Sequence, residues 1–339
     1  MKVAILGATG YAGQVLAQLV LVHPSLDLVA VQGHEAAGER LGSFVPALAY
    51  GEGDLTIEPI GSDVAGAEAV FLALPHGLSQ EFAPRLLAQH RVVVDLGADF
   101  RFADPMEYAR WYSEPHGAPE LLETRVYGLV ETQRSHLGGA KLIAAPGCYV
   151  TAASLGLWPL VSGSLIGEEL VIVDAYSGVS GAGKGLKATS QFVSVNENLS
   201  AYGLLSHRHT GEMEMNLGRT VLFTPHLAPI TRGILATSYA VPVAGAAPLD
   251  QAQLLAHYRQ VYADSPFVRV VDRPPGTREV VGTNDIAIYP TYDPRTDRYL
   301  VISVIDNLIK GAGGQAIQAL NVAMGWPEDL GLTQLGVWP

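Results

Sequence analysis

A strand, a glycine-rich turn and a helix follow one another within the first 22 residues, and few arrangements limit a fold as tightly. Residues 2–6 (KVAIL) are a short run with four consecutive apolar residues, of the kind buried in a parallel sheet. Gly7-Ala8-Thr9-Gly10-Tyr11-Ala12-Gly13 comes next, then an apolar-periodic helix over 14–22 that stops near Pro24. Glycines in such a turn reach φ > 0 and let a pyrophosphate approach the backbone. The helix N-terminus adds N–H donors and the positive end of its dipole. The spacing is GxxGxxG rather than GxGxxG, so the strand–turn–helix context carries the argument for a dinucleotide. Gly7, Thr9, Gly10, Tyr11, Ala12 and Gly13 are the first cofactor candidates; a glycine turn without a nucleotide is the plainer alternative.

A second strand over 26–32 runs into Gly33-His34 with no carboxylate at its end, where an NAD-specific site holds the ribose 2′-hydroxyl. Arg40 lies a little beyond and Glu35 is close, which leans toward a 2′-phosphate and NADP(H). Strands over 69–74 and 91–96 enter Pro75-His76-Gly77 and Gly97-Ala98-Asp99-Phe100-Arg101, junctions at which open α/β sheets bind ligands. Pro75 and His76 therefore join the cofactor candidates. Residues 102–140 read as an irregular excursion with short helices, and a strand over 141–145 ends at Pro146-Gly147-Cys148. From about 169 onward, β-type runs alternate with helical stretches near 212–219 and 250–262, which suggests an α+β domain with a mixed or mostly antiparallel sheet. A last helix opens in Asn307-Leu-Ile-Lys310-Gly311 and continues to about 324.

Length and charge narrow the classes of function. At 339 residues the chain is long enough for about two domains. Its formal net charge is −12 with no Lys/Arg block, so neither nucleic acid nor an anionic membrane is expected as the main partner. Small anionic ligands need only a few local cations and backbone N–H groups. No apolar stretch reaches the ~18 residues of a membrane span, and the opening MKVAILGATG lacks a signal-peptide layout, so a cytoplasmic location is expected. One cysteine excludes an internal disulfide and any multi-cysteine metal site.

That cysteine, Cys148, precedes a helical pattern stopped by Pro159. At a helix N-terminus the dipole and unpaired N–H groups favour a thiolate, and the same donors can hold a developing oxyanion. A buried, inert thiol is the alternative. His207-Arg208-His209-Thr210-Gly211-Glu212 is the densest cluster of acid–base candidates; no third ligand stands beside the histidines, so no metal is expected. Ser177-Gly178-Val179-Ser180-Gly181-Ala182-Gly183-Lys184 has the glycines, hydroxyls and lysine of an anion cradle without Walker A spacing. Arg101, Arg208 and Arg232 are further loop cations for an anionic substrate.

Taken in order, these motifs resemble the N-acetyl-γ-glutamyl-phosphate reductase family, within the wider aspartate-semialdehyde dehydrogenase-like group. The resemblance also rests on Tyr127-Gly-Leu129, Pro146-Gly-Cys-Tyr149, Asp306-Asn-Leu-Ile-Lys-Gly311 and Gly325-Trp-Pro-Glu328, and spans nearly the whole chain. It implies an α/β fold: a Rossmann-type doubly wound parallel sheet over 1–147 and 308–339, and an α+β substrate and oligomerisation domain over 148–307. It implies Cys148 as nucleophile and a histidine of the pair as acid/base, His207 favoured and His209 the alternative. Asn307, Lys310 and Gly311 would lie by the nicotinamide, with Ser177 and Gly178 also on the cofactor. Arg101, Ser180, Gly181, Lys184, Arg208, Glu212 and Arg232 would hold a small acyl-phosphate substrate. Lys184 stands where the family has Arg, which keeps the charge and loses the bidentate fork. A homo-oligomer, dimer or tetramer, is expected. Carrier-bound lysine-biosynthesis relatives have Gly-Cys-Asn where this chain has Gly147-Cys148-Tyr149, which favours the arginine-pathway substrate. A non-catalytic NADPH-binding redox sensor is the reading from another class.

Overall fold

A computed structural model describes residues 1–51, 53–64 and 66–336. It divides into two compact units, one of Met1–Pro146 with Ala312–Thr333, the other of Gly147–Gly311 with the residues from Gln334 on.

The first unit is built on β1 (Lys2–Leu6), β2 (Asp27–Gly33), β3 (Ile57–Pro59), β4 (Ala69–Leu72), β5 (Val92–Asp95), β6 (Arg125–Tyr127) and β7 (Leu142–Ala144). Its helices are α1 (Tyr11–Leu21), α2 (Ser79–Ala88), α3 (Pro105–Tyr112) and α4 (Val130–Leu137). The strands form one parallel sheet in the order β3-β2-β1-β4-β5-β7-β6. Val3 to Leu6 and all of β4 are buried, as expected of strands covered on both faces. The chain builds outward from β1 in one direction through β3, then in the other from β4. The carboxyl ends of β1 and β4 therefore flank the point where strand order reverses, which is where such sheets bind ligands. The excursion expected to hold only short helices also contributes β6, which pairs with β7 at the sheet edge.

The second unit contains α5 (Cys148–Ser162), β8 (Val171–Gly178), α6 (Phe192–Val195), β9 (Ser200–Ala201), α7 (His209–Leu217), β10 (Val221–Ala228) and β11 (Ile234–Ala240). It continues with α8 (Gln251–Val261), β12 (Val268–Val270), β13 (Ile286–Asp293) and β14 (Arg298–Ile305). Its sheet runs β12-β13-β14-β11-β8-β10-β9 and is mixed, with β8–β10 and β12–β13 parallel and the other pairs antiparallel. Alternate residues of β8 and β11 are buried, and α5 packs on β11 and β14. Since α5 has no polar face, it is buried along most of its length.

Pro159 does not stop α5, contrary to the sequence pattern. A helical proline leaves the carbonyl four residues back without its N–H partner. Here that carbonyl, on Leu155, accepts from the Tyr262 hydroxyl, and the next, on Gly156, accepts from Tyr258 at 2.8 Å.

After β14 the chain makes a π-turn at Ile309–Gly313 and enters α9 (Gly314–Ala323), which belongs to the first unit. This helix carries a buried polar seam. Gln315 donates to the Gly128 carbonyl at 3.0 Å, and Gln318 donates to Glu131 and to Glu328, both at 2.8 Å. Asn321 donates to the Leu330 carbonyl at 2.9 Å. Replacing Gln318 by Leu removes the donor facing two carboxylates and is expected to cost about 2–3 kcal/mol. Thermal unfolding followed by circular dichroism should show the midpoint fall by about 5 °C or more.

Candidate active site

Cys148 is the first residue of α5, with Gly147 as the extended N-cap and no side chain capping the helix. Its side chain is part-exposed, at the positive end of a 15-residue helix. Gly147 is gripped from three directions. Its N–H donates to Glu212 Oε1 at 2.8 Å, and its carbonyl accepts from the Thr151 hydroxyl at 3.2 Å. His209 Nε2 lies so close that a Cβ on residue 147 would displace the imidazole. Glu212 is fully buried one turn along α7 from His209. One helix thus brings both an imidazole and a carboxylate to the backbone just ahead of the thiol. Gly311 also packs on the cysteine: an added Cβ would stand 2.7 Å from that of Cys148.

The two histidines of the pair have different surroundings. His207 sits among Tyr149, Tyr202 and Phe223, with ring centroids 5.7, 5.6 and 5.3 Å away, and its Nδ1 accepts from the His209 N–H at 3.2 Å. Burial, reinforced by the Arg208 charge, pushes the His207 imidazole down to about 4. Tyr149 is buried behind the thiol, donating to the His226 carbonyl at 3.0 Å and accepting from Tyr202 at 3.1 Å. Burial holds its hydroxyl far above the ordinary phenol range.

The motifs at 177–181, 232–233 and 306–311 join into one cluster. Asn307 accepts from the Gly233 N–H at 2.7 Å and donates to the Ser180 hydroxyl at 3.0 Å. Arg232 pairs with Asp306 at 2.8 Å, and Asp306 also accepts from the Gly282 and Leu308 N–H groups at 2.8 Å. The Gly311 N–H reaches the Asp306 carbonyl at 2.9 Å, which links the cluster to the residue packed on Cys148. Ser177 is buried and donates to the Gly178 carbonyl, while Gly178 passes too close to Thr231 and Arg232 backbone to carry a Cβ. Gly181 would likewise bring a Cβ to 2.7 Å from the Ser177 hydroxyl.

Several side chains expected at a ligand also have partners within the chain. Lys310 is fully buried, with its ammonium over the Phe267 ring at 5.4 Å. Arg101, in the first unit, is 7% exposed and donates to the Ala145 and Leu96 carbonyls at 3.0 and 3.2 Å. Glu212 faces Gly147 rather than an open surface. Arg208 and Lys184 are exposed. Asp306 and Gly147 were not singled out as site residues by motif reading. An Asp at the end of an apolar strand and a Pro-Gly pair ahead of a cysteine were the available signals.

In the first unit, Gly7 takes φ +88° and approaches the Ala73 carbonyl so closely that a Cβ is excluded. Its N–H and that of Ala8 donate to the Gln32 carbonyl at 2.9 and 3.1 Å. Gly10 is the extended N-cap of α1, Tyr11 and Ala12 open that helix, and Gly13 lets it lie against the turn. Gln14 fixes the Thr9 carbonyl at 2.7 Å. This leaves first-turn N–H groups at the carboxyl end of β1, a shape that fits a pyrophosphate. Past β2, Arg40 is exposed and pairs with Asp54 at 3.1 Å. Pro75 and His76 follow β4 across the same switch point. Among the described residues no group of three or more His, Cys, Asp or Glu could hold a metal ion.

Two family profiles match: "Semialdehyde dehydrogenase, NAD binding domain" over residues 2–140 and "Semialdehyde dehydrogenase, dimerisation domain" over 148–307. The crystal structure of aspartate semialdehyde dehydrogenase II from Vibrio cholerae, complexed with ASA, superposes with a TM-score of 0.71 at 17% identity. It covers 95% of this chain and 97% of that one, which establishes a shared fold. Fold and domain pair thus define a chain of the semialdehyde dehydrogenase type. Two curated relatives are much nearer in sequence. The N-acetyl-gamma-glutamyl-phosphate reductases of Halothermothrix orenii and Desulforudis audaxviator are 45% and 46% identical, each match covering 100% of both chains. The chain belongs to the N-acetyl-gamma-glutamyl-phosphate reductase family.

The depressed His207 has a consequence for stability. Between pH 6.5, where a free imidazole titrates, and about 4, the unfolded chain binds a proton that the folded one refuses. The His207 contribution is therefore complete above pH 6.5 and lost as pH falls toward 4. Thermal midpoints measured over that range should fall less steeply in His207→Gln than in the unsubstituted chain.

Proposed function

We propose that the chain reduces N-acetyl-γ-glutamyl phosphate to N-acetylglutamate semialdehyde and phosphate with NADPH, through a thioester on Cys148. The observation that carries this reading is a thiol at the N-terminus of α5 with His209 against its N-cap, in a chain 45% identical to reductases of that name over its full length. The first-unit turn, a β2 end without a carboxylate and an exposed Arg40 support a 2′-phosphorylated dinucleotide there. When bound, NADPH supplies the hydride that reduces the thioester carbon.

The Cys148 thiolate, favoured by the helix N-terminus, attacks the acyl carbon, and phosphate leaves with the electron pair of the broken C–O bond. First-turn N–H groups of α5 stabilise the oxyanion. A thioester lacks the resonance that makes a carboxylate a poor hydride acceptor. After reduction the thiohemiacetal oxygen takes a proton from an imidazole. It returns that proton as the C–S bond breaks and thiolate and aldehyde separate. His209 is the better candidate for this imidazole, because it touches Gly147 while His207 is closed among aromatic rings. Arg208, Lys184 and Arg232 remain the candidate cations for carboxylate and phosphate, and Asn307 with Ser180 shapes the loop between them.

The same reading includes a cytoplasmic homo-oligomer. Leu186, Phe192, Val193 and Leu205 of the second unit are 76–97% exposed, more apolar surface than a lone chain usually leaves in one segment. Among the described residues no helix is long and apolar enough to cross a membrane. Light scattering should give a mass of two or four chains, reduced by Phe192→Glu with Leu205→Asp.

The reaction is tested in reverse. Purified chain, N-acetylglutamate semialdehyde, NADP⁺ and phosphate should form NADPH only when phosphate is present. Absence of a signal from a preparation that binds NADP⁺ would overturn the substrate. Cys148→Ala should abolish turnover and keep NADP⁺ affinity. His209→Asn should lower kcat by about 10²–10⁴-fold, well beyond His207→Asn; the reverse ranking would exchange their roles.

A further inference from the structure

The first unit contains a chain of paired groups that the reaction leaves unused. His76 lies in the loop between β4 and α2, and both of its ring nitrogens face carboxylates. Nδ1 is 3.1 Å from Asp99 Oδ1, and Nε2 is 2.6 Å from Glu114 Oε1. The ring stacks on Tyr112 at a centroid distance of 4.3 Å. Asp99 is fully buried and holds the same loop by its backbone, accepting from the Gly77 N–H at 2.8 Å and the Gln80 N–H at 3.3 Å.

Glu114, half exposed, is itself held in place. It follows Ser113, which ends α3 in the left-handed region at φ +60°, and precedes His116, whose Nε2 meets the Asp99 carbonyl at 2.7 Å. A left-handed serine is strained, and such a conformation persists where surrounding contacts over-determine it. Asp99, His76 and Glu114 thus form a continuous brace from the end of β5, through the β4–α2 loop, to the segment after α3.

What the brace positions follows from topology. The β4–α2 loop borders the point where strand order reverses, and its Ala73 carbonyl lies against Gly7 of the phosphate-binding turn. We propose that His76 is a positioning residue for the dinucleotide rather than a contact to it: pinned between Asp99 and Glu114, it holds the β4–α2 loop at the width the cofactor requires, and Glu114 is the solvent-facing end of the brace. This rests on the NADP(H) reading of the first unit.

The test is NADP⁺ affinity of the full chain by equilibrium dialysis, with the rate of Cys148 alkylation by iodoacetamide as a second readout in the other unit. Glu114→Ala is expected to weaken NADP⁺ binding three- to tenfold, and Glu114→Gln, which keeps an acceptor oxygen, to weaken it less. His76→Ala should weaken binding tenfold or more, and the double variant should bind no worse than His76→Ala, with alkylation unchanged in all. If His76→Ala loses affinity and Glu114→Ala does not, His76 contacts the cofactor directly and the brace is refuted. Additive losses in the double variant refute it as well. An unsubstituted chain that binds no NADP⁺ would instead overturn the cofactor reading.

Discussion

A single hydrogen bond, from the Gly147 N–H to the buried carboxylate of Glu212, ties together the two helices on which the chemistry of the second unit depends. Without it the N-cap of α5 would have an unsatisfied donor in a buried position, a loss of about 1–3 kcal/mol. With it, α7 is held so close that a side chain on residue 147 would displace His209, which is delivered beside the thiol-bearing turn. The carboxylate also lies where a helix dipole favours negative charge. Packing and electrostatics at this junction therefore reinforce each other, and the glycine ahead of the cysteine is as constrained as the cysteine.

How much of this was legible in the sequence depended on how local each cause is. The opening strand, turn and helix could be read because apolar period, glycine placement and helix entry all lie within 22 residues. The role of Pro159 could not, because the hydroxyls that satisfy the carbonyls beneath it come from Tyr258 and Tyr262, about a hundred residues downstream. The choice between His207 and His209 was equally hidden. One residue separates them, yet His207 is enclosed by Tyr202 and Phe223 as well as Tyr149, while His209, which also faces Tyr149, lies against Gly147. The polar seam of α9 reads as an imperfect apolar stripe until Glu131 and Glu328 are seen to face it.

Charge illustrates the same limit. Motif reading assigned Arg101 and Arg232 to an anionic substrate, since a chain of net charge −12 has few cations to offer, and the family resemblance put Lys310 by the nicotinamide. Each already has a partner within the chain: Arg101 donates to the Ala145 and Leu96 carbonyls, Lys310 rests on an aromatic face, and Arg232 pairs with Asp306. Such cations shape the walls of a site by holding backbone in place, and an anion approaching them meets oriented N–H groups as much as side-chain charge.

The return of α9 to the first unit has a consequence for biosynthesis. The bulk of the second unit, Gly147–Gly311, is an insertion made before the ribosome reaches residue 312, whereas the helix that covers the first sheet follows it. Glu131 waits 187 residues for its Gln318 partner, on the order of ten to forty seconds at ordinary translation speeds. During that interval α4 and the sheet edge beside it lack their cover. The nascent chain thus makes most of its inserted unit before its opening unit can close, and loss of α9 would harm the earliest residues most.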